Sequence, residues 1–208
     1  MPHRRIILKG LAALPALSAL PLFGARIAHG KPLSGLPENP RILIVYFSWA
    51  GSAKTVAEEI QRLTGGTLAR IERTTPYPEK YEDVGKAARA EFDAGTLPEI
   101  KAGIPDVKDF DVVCIGHPIW NGRMPMPVRT FLSRTDLSGK TVLHFCTHGG
   151  SGLADTEKEL AALAPKAVRP AGLAVYGWHG VRGIEKVGQW LSELGLVKGA
   201  SPQAGASR

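Results

Sequence analysis

The chain of 208 residues has two cysteines, Cys114 and Cys146, too few for a disulfide framework. It has no run of lysine and arginine interleaved with aromatics, which excludes the usual footprint of a nucleic-acid binder despite a net charge of +7. The first thirty residues contain no acid. Arg4, Arg5, Lys9 and Arg26 all fall there, so the remainder is only mildly basic. There is no comfortable membrane span either, because the apolar stretch Leu11–Ala25 is short and broken by Pro15 and Pro21. No G-x-x-x-x-G-K-[ST] is present, which excludes a nucleotide P-loop, and no internal repeat is visible. What remains is enough chain for one α/β domain with a real core.

Met1–Gly30 reads as an export signal. His3-Arg4-Arg5-Ile6-Ile7-Leu8-Lys9 resembles the twin-arginine signal, with His and Ile in place of the usual Ser and Phe. Ala28 and Gly30 supply small residues for cleavage before Lys31, and no cysteine nearby invites a lipid anchor. General secretion and an uncleaved anchor are the rival readings. The twin-arginine route carries folded proteins, so the expectation is an exported, periplasmic domain that acquires a cofactor first and keeps no stable membrane insertion after signal removal.

After a Pro/Gly linker, Lys31–Pro40, the run Arg41–Phe47 is continuously apolar, as suits a strand buried on both faces. Ser48–Ala53 is small and polar, and Val56, Ile60 and Leu63 then recur at helical spacing. Strand, short loop and helix leave free backbone N–H groups at the helix start, a ready place for a phosphate. Four more strands are expected at Thr67–Glu72, Asp111–Gly116, Thr141–Cys146 and Ala171–Tyr176, alternating with amphipathic helices. This predicts right-handed crossovers and an open five-stranded parallel sheet with helices on both faces. Ligands of such sheets sit beyond the carboxyl ends of the strands. Three loops lie there: Ser48–Ala53, His117–Gly122 and Thr147–Gly152. A polar tail, Gly199–Arg208, closes the chain and is expected to be disordered.

Four blocks in order resemble the flavodoxin family over roughly residues 41 to 195: YFSWAGSAKTVAEEI, PYPEKYEDVGKAARAEFDAGTLPEI, IGHPIWNGRMPMPVRTFL and FCTHGGSG. The second block is similar to the family's variant with a long segment between strands 2 and 3. The resemblance implies strand order 2-1-3-4-5, FMN as cofactor and electron transfer. It assigns the phosphate to the loop of Ser48, Ala50, Gly51, Ser52 and Ala53 with Lys54, while Trp49 packs over the ligand edge or lies on the surface. It assigns the ring to Pro118, Ile119, Trp120, Asn121 and Gly122, with Trp120 free to stack because a loop gives it no core to fill. The polar ring edge goes to Thr147, His148, Gly149, Gly150, Ser151 and Gly152. Ala50 and Ala53 stand where hydroxyls are usual and Ser52 where Asn is usual, which implies a looser grip on the phosphate. A charged His148 near the ring would raise its reduction potential at low pH.

Rival readings attach to the same residues. His144, Cys146 and His148 alternate and could share a strand face as metal ligands, although His148 is expected past the strand end. Cys114 and Cys146 on neighbouring parallel strands are expected as buried free thiols. Gly149–Leu153 nearly spells a nucleophile elbow, with Asp155 and His179 downstream, but lacks the last glycine. The reading adopted is a carrier that shuttles electrons between redox partner proteins. The alternative is an NAD(P)H-dependent reductase of a small acceptor such as a quinone.

Overall fold

The computed structural model describes residues 32–197. The export signal expected over Met1–Gly30 and the tail Gly199–Arg208 lie outside those residues. In chain order the elements are β1 (Ile42–Tyr46), α1 (Ser52–Thr64), β2 (Thr67–Arg70), α2 (Tyr81–Asp93), β3 (Val112–Pro118), α3 (Met126–Ser133), β4 (Thr141–His148), α4 (Thr156–Leu163), β5 (Leu173–Tyr176) and α5 (Glu185–Glu193). All five strands are parallel, in the order β2-β1-β3-β4-β5. The expected fold class therefore holds.

The central strands are buried along their whole length because both faces are covered. On one face Ile44, Leu143, Phe145 and Val175 meet Val56 and Ile60 of α1 and Val187 and Leu191 of α5. On the other, Leu43, Val45, Val113 and Ile115 meet Val84 of α2, Val128 and Leu132 of α3 and Leu160 of α4. The segment expected as a linker is tied down at Leu33, whose N–H donates to the Leu194 carbonyl at 3.1 Å. Leu33 and Leu36 pack on the α5 side of the core.

Two strands run further than expected. The ladder pairs Pro118 with Thr147 and His148 with Tyr176, so β3 and β4 each gain two residues. His148 is therefore the last residue of β4 and not a loop residue. The lengthening carries the side chains of these positions to the end of the sheet where β1, β3, β4 and β5 open.

Candidate functional site

A cleft of about 1450 Å³ lies across that end of the sheet. Its floor is the turn after β1 (Trp49, Ala50, Gly51, Ser52), the loop leaving β3 (Pro118, Ile119, Trp120, Asn121) and the end of β4 (Thr147, His148, Gly149). These are the regions the three expected loops supply. Ser48, Ala53, Gly122, Gly150, Ser151 and Gly152 do not line it. Ser48 is buried, and its hydroxyl accepts the Gly51 N–H at 3.1 Å, so it shapes the turn from below. Ala53 is closed to solvent against the apolar core.

The turn after β1 delivers an open helix start. Gly51 is the N-cap of α1 at φ 93°, a conformation that costs an L side chain, and it leaves empty space where a Cβ would stand. No side chain caps this helix and no acid sits in its first turn. The Ser52 hydroxyl is engaged with Thr147 Oγ1 at 3.0 Å, and Thr55 Oγ1 donates to the Gly51 carbonyl. Lys54 pairs with Glu58 at 3.5 Å. The first-turn amides, with the positive end of a thirteen-residue helix behind them, are the groups offered to an anion. The cradle is a backbone cradle, which is why alanines at 50 and 53 are compatible with it.

Trp120 corrects one expectation, because it does have a core to fill. Its ring meets Phe47 at 5.4 Å and Tyr77 at 5.1 Å, both edge-on, and it packs against the apolar core while still lining the cleft. Trp120 and Arg123 exchange both backbone hydrogen bonds at 3.0 and 2.9 Å around Asn121 (φ 49°) and Gly122 (φ 76°). Two positive φ values in a two-residue turn are what Asn-Gly accommodates best. The Gly122 carbonyl accepts the Asp155 N–H at 3.4 Å, so this turn is tied to the approach to α4.

His148 Nδ1 accepts the Gly150 N–H at 2.9 Å, which fixes that nitrogen as unprotonated. Burial first, and then the charge of Lys186, hold its pKa below the ordinary histidine range. His144 and Cys146 share the His148 face but turn inward. His144 contacts His117, and the Cys146 thiol donates to the Gly152 carbonyl at 3.6 Å. Among the described residues no group of three His, Cys, Asp or Glu side chains is arranged to hold a metal. Both thiols are free, and burial pushes each up to about 12.

Two walls of the cleft were not singled out from sequence. One is α2, which contributes Tyr81, Glu82, Lys86, Arg89 and Asp93. The other is the loop after β5, Gly177–Val181, with Trp178 43% exposed. Tyr81, 61% exposed, meets Trp178 at 5.4 Å and Trp49 at 6.2 Å, and the Trp49 indole N–H donates to the Pro78 carbonyl. An aromatic rim from three separate elements thus stands above the helix start. The signal available in sequence is an aromatic in a glycine-bounded loop, Gly177-Trp178-His179-Gly180, comparable to Trp120 between Pro118 and Gly122.

Sheet order and cleft together define a doubly wound α/β protein with an uncapped helix start and aromatic walls at its switch point. A family model described as flavodoxin matches residues 41–193, and the chain belongs to the flavodoxin family. A curated relative, the FMN-dependent NADH:quinone oxidoreductase of Bradyrhizobium sp. (strain BTAi1 / ATCC BAA-1182), is 30% identical over 120 residues, 56% of this chain and 51% of the relative. The chain therefore spans about half the length of that relative. A crystal structure of a protein provisionally assigned as a flavoprotein, from Bacteroides eggerthii DSM 20697, is 28% identical with a TM-score of 0.66, covering 76% of this chain and 99% of the other. A flavoprotein from Lactobacillus acidophilus NCFM, solved in complex with FMN, is 23% identical with a TM-score of 0.60, covering 73% and 98%. It shares the fold.

Proposed function

We propose that this chain binds FMN in the cleft and serves, after export, as an electron-transfer protein between larger redox partners. The observation that carries the reading is the start of α1. Its first-turn amides open into a cleft with aromatic walls, and neither a side-chain cap nor an acid competes with a phosphate there. Residues 49–52 and the amides of the first turn hold the phosphate. Trp120 lies against the ring, braced by Phe47 and Tyr77, so its orientation is set before binding. Thr147, His148 and Gly149 meet the polar edge of the ring. FMN supplies one- and two-electron chemistry when bound, while the chain fixes its orientation, excludes water from one face and sets the local charge. The FMN named for two of the similar proteins and the family itself support this cofactor. The twin-arginine-like leader supports a periplasmic site of action, since that route exports proteins already folded around a cofactor.

A second reading, a reductase that passes electrons from NAD(P)H to a small acceptor such as a quinone, is favoured by one dimension. The cleft exceeds the ~300–1,000 Å³ typical of small-ligand sites, and the name of the curated relative points the same way. The Trp49–Tyr81–Trp178 rim would then receive a second flat molecule. Absorption spectra of the FMN-reconstituted protein separate the two. Reduction in two resolved one-electron stages, with no bleaching by NADH, supports the carrier. Rapid bleaching by NADH with quinone turnover would replace it with the reductase.

A further inference from the structure

Beneath the cleft lies a polar chain that neither reading uses. His117, at the end of β3, is 0% exposed and His144, in β4, is 1% exposed. Their Nε2 atoms are 2.9 Å apart. His144 Nδ1 stands 3.1 Å from Glu157 Oε1 of α4, and His117 Nδ1 stands 3.1 Å from the Pro118 carbonyl oxygen. Only Glu157 reaches solvent, with 41% of its side chain exposed. At the other end Pro118 lines the cleft and leads directly into Trp120.

The proton inventory is decisive. Each of the three contacts joins two atoms that are both acceptors unless one carries hydrogen, and with Glu157 held below its usual range the hydrogens must come from the rings, so three ring protons are needed. Two neutral imidazoles bring two. The third makes one ring an imidazolium, and the geometry puts it on His144, where the Glu157 carboxylate faces it. The surroundings agree. The His144 hydrogen bond, more than any other influence, holds the Glu157 carboxyl below its usual range, so it is an anion. Burial, and then the His144 charge, push His117 down to about 3, so that ring is neutral and gives its one proton to Pro118.

We propose that Glu157, His144 and His117 are positioning residues that help hold the cleft's second loop through a shared proton, and loosen it when that proton leaves. With three protons, His144 donates from both nitrogens and His117 Nδ1–H donates to Pro118. When one proton departs by way of Glu157, the bare nitrogen cannot face the carboxylate, because that repulsion is the worst of the three. One remaining proton sits on His144 Nδ1, and the other goes to His117 Nε2, because the two buried Nε2 atoms have no other partner whereas Pro118 opens on the cleft. His117 Nδ1 is left bare against the Pro118 carbonyl, and the loop carrying Ile119 and Trp120 loses one tether while keeping the Ile119 N–H bond to the Thr147 carbonyl at 2.8 Å. A proton lost at the surface of α4 is felt at the cleft.

Other charged groups around the chain are accounted for. The Arg169 guanidinium donates to the Ala167 carbonyl, on the approach to β5, and lowers the Glu157 carboxyl only weakly. Cys146 remains a neutral thiol. Arg129 of α3 and Glu159 of α4 pair with each other at 3.0 Å. Gly172, before β5, keeps the space clear. A methyl there would strike Glu157 Oε1 and stand 3.0 Å from the His144 carbonyl oxygen.

The test uses the full chain with no flavin added, so it stands apart from the fate of the FMN reading. Histidine ring nitrogens and the Ile119 and Trp120 amides are followed by NMR from about pH 5 to about pH 9, the range in which histidines ordinarily change charge. The expected result is one step in which His117 exchanges its Nδ1–H form for its Nε2–H form while His144 goes from two ring protons to one. The Ile119 and Trp120 amides shift with it. E157Q sharpens the result. The glutamine amide donates to His144 Nδ1, all three contacts are then met by neutral rings, and the step vanishes with both amides fixed at their low-pH positions. G172A, which displaces the carboxylate, loses the doubly protonated His144. Rings that keep one proton each across the range, or a step that survives in E157Q, would overturn the proposal. The wild-type tautomers decide it even if a variant fails to fold.

Discussion

Beneath α1 and α5 the sheet presents Ile44, Leu143, Phe145 and Val175, none polar and none reached by solvent. Beneath α2, α3 and α4 the same strands present Leu43, Val113 and Val142, but also His117 and His144, and nearby the Arg73–Glu91 pair at 2.7 Å with the Tyr77 hydroxyl donating to that carboxylate. Away from the cleft the first face is uniform because those positions need only burial; at its cleft end it carries Thr147, whose hydroxyl meets Ser52 of α1. The other carries buried polar groups, most of them met by a partner although Arg73 Nε and Arg129 Nε are not, because its strand ends and loops run into the cleft. Burying polar groups gains nothing over a well-packed apolar core, so their placement on one face marks where geometry matters more than burial.

The largest expected effect separates the faces by stability. Leu143→Ala removes a fully buried side chain from the uniform face and should cost about 2–5 kcal/mol in urea denaturation, with FMN affinity of the folded fraction unchanged. Trp120→Ala acts on the other face. It should weaken FMN binding at least tenfold, about 1.4 kcal/mol or more by fluorescence titration, with a smaller loss of stability because the ring is only partly buried. Equal effects of the two substitutions on binding would erase the distinction. Trp178→Ala, at an exposed rim position, should weaken FMN binding by about twofold and leave the denaturation midpoint in place. The smallest effect is electrostatic. His148 is held below its ordinary range by burial and Lys186, so the fold favours its neutral form. Its contribution to stability is complete above about pH 6.5 and is lost as pH falls through its depressed value. His148→Gln should flatten that part of the pH–stability curve, and a curve unchanged by the substitution would show the histidine to be a bystander.

The uniform face was the more legible in sequence. Arg41–Phe47 and Thr141–Cys146 are continuous apolar runs whose burial on both faces follows from hydropathy alone. Strand order came from resemblance, since no local pattern encodes which strands adjoin. Pro118 and His148 look like loop residues in sequence, and only pairing with Thr147 and Tyr176 keeps them in the sheet, two residues past the expected ends of β3 and β4. Trp120 stands out in the sequence as a loop aromatic, but what holds it in place does not. Its packing on Phe47 and Tyr77 joins three separate stretches of chain, which spacing cannot reveal. The α2 wall and Trp178 were missed because a helix face turned to a cleft is read as an ordinary solvated face. His144 was noticed as one of an alternating set, yet its partners, His117 and Glu157, lie on a neighbouring strand and a following helix.

In the proposed function the open start of α1 grips a phosphate. Calorimetric titration of the full-length apoprotein with FMN and with riboflavin isolates that grip, because the two ligands share the ring and differ in the phosphate. With hydrogen bonds to a charged group contributing ~1.5–3 kcal/mol each, FMN should bind about a hundredfold more tightly than riboflavin or better. Equal affinities for the two ligands would contradict the account.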